Sequence, residues 1–105
     1  MNINLEKLRD KFDDAFNENS VLFVEQDGDS FENYNVVGLR QSGYLSRPHL
    51  MFNLNGAKNH LTGASQGRNT VRFEKNIEVL FESVKNIVDQ WDGETKREFN
   101  IHQLW

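Results

Sequence analysis

The chain has 105 residues, a net charge of −4, and 37% apolar against 27% charged residues, which is the balance of one globular domain and excludes a disordered chain. With no cysteine there is no disulfide framework, thiolate metal site or cysteine nucleophile, and a reducing, cytoplasmic setting is expected. No apolar run approaches the roughly 18 residues of a membrane span, and the start, MNINLEKLRDKF, lacks the apolar core of a secretory signal.

The first element is a helix over residues 4–18. Leu5, Leu8, Phe12, Ala15 and Phe16 fall within roughly a 100° arc at helical spacing, and nearly every other position is charged or amide. Asn2 or Asn4 can cap its start, and Asn17-Glu18-Asn19 can close it. The period then changes. Val21, Leu22, Phe23 and Val24 are consecutive and apolar, as in a central strand covered on both faces. Asp27-Gly28-Asp29-Ser30 is turn chemistry, so residues 31–41 are expected to return as the second arm of a hairpin, with Gly38 marking a bulge.

Residues 44–55 predict a third strand. Leu50, Phe52 and Leu54 alternate with His49, Met51, Asn53 and Asn55, and Pro48 stands near the start, where a missing donor costs least. The His49 face is expected to be open to water or a partner. Residues 56–67 hold three glycines and no sustained period, which reads as a long connecting loop. Val71 and Phe73 suggest a short fourth strand at 69–74. Phe73 also lies on the arc of the helix that follows.

That helix, NIEVLFESVKNIVDQWD over 76–92, carries the strongest pattern. Ile77, Leu80, Phe81, Val84, Ile87, Val88 and Trp91 occupy roughly 120° of its circumference. At about 1.5–3 kcal/mol per buried large side chain, the stripe contributes on the order of 10 kcal/mol once covered, and a helix alone in water recovers almost none of it. Gly93 is placed to end the helix. Beyond it, residues 96–105 alternate as an extended tail. The expected fold is therefore α+β: an N-terminal helix, a three- to four-stranded antiparallel meander, a long C-terminal helix, both helices on one sheet face, and an extended tail, in a single domain of residues 1–105.

The charge is not evenly spread. Residues 1–37 hold nine acids and three bases, residues 38–75 hold six bases and one acid, and residues 76–105 hold six acids and three bases. Charge layout speaks to partners more than to fold. The acids Asp13, Asp14, Glu25, Asp27 and Asp29, with Trp105 as an aromatic anchor, form the candidate surface for another protein, one with a basic face. A homodimer is also compatible with the sequence. Arg40, Arg47, Lys58, His60, Arg68 and Arg72 form the alternative, an anion site for nucleic acid or phosphate.

No motif points to a cofactor or metal. Glu25-Gln-Asp27-Gly-Asp29 resembles the start of a calcium loop, but that register puts Ser30 where glycine is required and Val36 where the bidentate glutamate belongs. The spacing of Gly56, Gly63 and Gly67 meets no nucleotide-site template. His49, His60 and His102 have no second ligand at helical spacing. His60, near Lys58, is the one residue in a position to act as a general base on a phosphoester. The leading expectation is a small protein-binding module of the inhibitor, immunity or adaptor type. Nucleic-acid binding comes second and phosphoester hydrolysis third.

Overall fold

A computed structural model describes residues 4–26, 34–38, 48–62 and 70–104. Helix α1 spans Leu5–Asn17, and the Asn4 side chain caps it by accepting from the Lys7 N–H at 3.0 Å. Leu8, Phe12, Ala15 and Phe16 are buried as their spacing requires, while Leu5, in the first turn, is 46% exposed. Asn19 takes a positive φ of 55°, a conformation asparagine tolerates, and the chain turns into the sheet.

The strands are β1 (Val21–Gln26), β2 (Tyr34–Gly38), β3 (His49–Asn53) and β4 (Lys96–Phe99), in the order β2-β1-β3-β4. The first three run antiparallel, as expected, and β1 and β2 form the hairpin. They are not a meander, because β3 pairs with β1 and not with β2. The physical reason lies in β1 itself. Leu22, Phe23 and Val24 are all buried, and a strand apolar on both faces gains most in the interior of a sheet. The register shifts at Phe23/Val24 opposite Val36–Gly38, so Gly38 does flank a bulge.

The fourth strand is not the one expected at 69–74. Residue 69 lies outside the described residues, and residues 70–74 open helix α3, which spans Thr70–Gln90. Adding turns to an existing helix costs far less than nucleating a new element, and Phe73 already lay on the helical arc. β4 comes instead from the tail and pairs parallel to β3, so the sheet is mixed. A parallel neighbour needs a crossover, supplied here by helix α2 (Ala57–Thr62) and α3.

α2 falls where a loop was expected. Its two buried residues, Ala57 and Leu61, are four apart and meet the core. Gly56, at φ 85°, gives its N–H to the Asn19 side-chain oxygen at 2.6 Å, and the Asn19 amide donates to Asn55 at 2.8 Å. The end of α1 is thereby fastened to the end of β3. The tail is also not extended throughout, because Ile101–Leu104 form helix α4. Asn100 accepts from the His102 N–H at 3.0 Å, and Gln103 accepts from the Asn100 N–H at 2.9 Å, a reciprocal capping box that stabilises this short turn.

Both long helices pack on one face of the sheet. Leu22 pairs with Phe52, Val24 with Leu50 and Phe52 with Phe99, so these residues share a face, and they form one cluster with Leu8, Phe12, Leu80, Phe81, Val84 and Val88. The Phe12 and Phe81 rings meet edge-on at 5.2 Å. Trp91 is core and donates its indole N–H to the Thr95 carbonyl at 3.0 Å. Asp92 accepts from the N–H groups of Glu94 and Thr95 at 2.8 and 2.9 Å, and Gly93 takes φ 77°, so the exit from α3 into β4 is well defined.

Candidate functional site

Of the expected acidic surface, Asp13, Asp14 and Glu25 lie among the described residues, on two elements. Asp13 accepts from Arg9 Nε at 3.0 Å, while Asp14 is exposed on α1. Glu25, next to core-facing Val24, projects from the opposite side of the sheet, where its register partner is His49. Asp27, Asp29 and Trp105 lie outside the described residues, as do Arg40, Arg47 and Arg68 of the anion alternative. Arg72 falls in the first turn of α3. Lys58 sits on α2 with its ammonium 5.9 Å from the Phe16 ring and donates to the Asn17 carbonyl at 3.4 Å. A cation is favoured at the C-terminus of α1, so Lys58 has a docking role.

Arg9 makes an ion pair between α1 and α3. Its guanidinium donates to both oxygens of Glu78, at 2.8 and 2.7 Å, while lying 4.8 Å from the Phe81 ring. The hydrogen bond to Glu78 raises the Arg9 pKa, and the same bond holds the Glu78 carboxyl below the usual carboxylate range. The N–H groups of Glu94 and Thr95 lower Asp92 in the same way. These groups brace the fold and show no geometry of a reacting centre.

The face beneath Glu25 is less open than the alternation suggested. His49 is 3% exposed and stacks on Phe23 at 4.8 Å, although Met51 is half-buried and Asn53 exposed. Within this region one Glu25 carboxylate oxygen, Oε2, is buried with no hydrogen-bond partner. Such an atom costs about 1–3 kcal/mol of desolvation, and a group retained at that cost is a functional candidate.

Tertiary structure also joins two residues that the sequence keeps apart. His60 on α2 and His102 on α4 meet edge-to-face, with ring centroids 5.8 Å apart. Nothing in local spacing signals this pair, and the helix that carries His102 falls where an extended tail was expected; Asn100 and Gln103, three apart, are the signal that could have found it. Among the described residues, no group of three or more His, Cys, Asp or Glu side chains is placed to hold a metal ion, and no helix is long and apolar enough to cross a membrane. A cleft of about 250 Å³ lined by Leu50, Ile87, Trp91 and Arg97 falls below the roughly 300–1,000 Å³ of small-molecule sites. No protein-family model matches the chain, and no curated protein or solved structure matches it.

Proposed function

We propose that the chain is a small protein-binding module of the inhibitor, immunity or adaptor type, which occupies a partner through the acidic end of the β1–β2 hairpin. The observation that carries this reading is the Gln26–Tyr34 pairing, which makes residues 27–33 the link between two paired strand ends. Glu25, Asp27, Asp29 and Glu32 concentrate there with no base among residues 25–34. A like-signed cluster of this kind steers encounter with a basic surface and selects against acidic ones. The absence of cysteine is in keeping with work in the cytoplasm.

The alternative reading, a nucleic-acid or phosphate binder across residues 40–72, rests on the basic balance of that segment. One experiment separates the two. The tagged chain is used for capture from a lysate of its own cells at near-physiological salt, with and without nuclease, beside the double variant Asp27→Lys/Asp29→Lys. A basic protein should be retained by the wild type, released at about 1 M salt, where the Debye length falls to about 3 Å, and lost by the variant. Recovery of bait alone, undiminished retention by the variant, or a nuclease-sensitive capture would overturn the module reading, and the last would favour the alternative.

A further inference from the structure

We propose that His60 and His102 form a two-imidazole site for a borderline-soft divalent cation of the Zn²⁺, Ni²⁺ or Cu²⁺ class. Each histidine stands on the outer side of a short helix whose inner side is locked into the core: Ala57 and Leu61 on α2, and Ile101 and Leu104 on α4. Both imidazoles are exposed, and their planes meet at 89° with centroids 5.8 Å apart.

The spacing suits a shared ion. A zinc-bound nitrogen lies about 2.1 Å from the metal, which with a ring radius of about 1.1 Å puts each centroid about 3.2 Å from the ion. Two rings on a tetrahedral ion then stand about 5.2 Å apart, and opening the nitrogen–metal–nitrogen angle to about 130° reaches the observed separation. Bringing one nitrogen of each ring onto the common point takes rotation about the terminal ring torsion, which is broad.

The backbone on each side is held. The Asn100–Gln103 box fixes α4, while buried Ala57 and Leu61 and the Lys58 contacts at the end of α1 fix α2. Two ligands on such a frame make the second ligation intramolecular, so the pair binds more tightly than either ring alone. Imidazole nitrogens select Zn²⁺, Ni²⁺ and Cu²⁺ over the oxygen-seeking Mg²⁺ and Ca²⁺. No third His, Cys, Asp or Glu joins them among the described residues. An ion held there ties α2 to α4, elements 39 or more residues apart in sequence.

The test is a Zn²⁺ titration of the full chain followed by imidazole NMR, with Mg²⁺ as control. The His60 and His102 signals should move together in one saturable event while buried His49 stays still, and Mg²⁺ should move none of them. His60→Gln and His102→Gln, both at exposed positions, should each weaken Zn²⁺ binding about tenfold or more with the circular dichroism spectrum unchanged. No saturable shift, or unchanged Zn²⁺ affinity in either variant, would overturn the proposal. Neither histidine belongs to the acidic hairpin, so this failure and failure of the binding-module reading are separately visible.

Discussion

The two faces of the sheet are built from the same strands yet are closed by different means. On one, Leu22, Val24, Leu50 and Phe52 join the stripes of α1 and α3 in a continuous apolar cluster. On the other, Phe23 is fully buried outside that cluster, stacked on His49, with the unpartnered Glu25 oxygen in the same region and Met51 and Asn53 progressively more exposed. Alternation tells which residues share a face. How completely each face is covered depends on what packs over it.

The largest test of that contrast is a matched pair of truncations. Phe52→Ala should cost about 3–5 kcal/mol in chemical denaturation, the usual range for a fully buried phenylalanine. Phe23→Ala should cost as much, because Phe23 is equally buried. A cost for Phe23→Ala below half that of Phe52→Ala would show that the second face is only loosely closed. Next in size, Glu25→Val removes an orphaned carboxylate oxygen and places a β-branched residue in a strand, so stability should rise by about 1 kcal/mol. The same variant should bind the partner less well, a trade of stability against function. A loss of stability would mean that the Glu25 charge is satisfied in its place.

The smallest effect belongs to the outer side of the helix layer. Glu78→Gln breaks the ion pair to Arg9, for which about 0.2–1 kcal/mol is expected at this exposure. The Glu78 carboxyl is lowered in the folded chain by the Arg9 hydrogen bond. Its contribution is therefore present at neutral pH and is lost as pH falls through that lowered range. Denaturation curves from neutral to acid pH should converge for wild type and variant, and added salt should narrow the gap at neutral pH.

Legibility differed among the elements for identifiable reasons. α1 and the body of α3 were readable because five and seven apolar residues repeat at helical spacing, a pattern that only burial of one stripe satisfies. The interior place of β1 was readable from four consecutive apolar residues. α4 was missed, because the alternation of Phe99 and Ile101 reads as an extended tail; the signal passed over was Asn100 and Gln103 at capping-box spacing. At Thr70–Phe73 two periods fit the same residues, and continuity with α3 decided between them. Of the candidate site, the acid-rich hairpin could be seen in composition, whereas the burial of His49 and the meeting of His60 with His102 could not.

Sequence alone determined what local periodicity and capping encode: an α+β chain, two amphipathic helices, a central strand, and a −4 charge gathered toward the ends around a basic middle. Tertiary structure alone decided the strand order, the parallel β3–β4 pairing, the sealing of Phe23 and His49, and the contact between imidazoles 42 positions apart. The division is physical. Helix stripes and caps arise from residues three and four apart, while pairing and cover depend on which distant surfaces bury the most apolar area together.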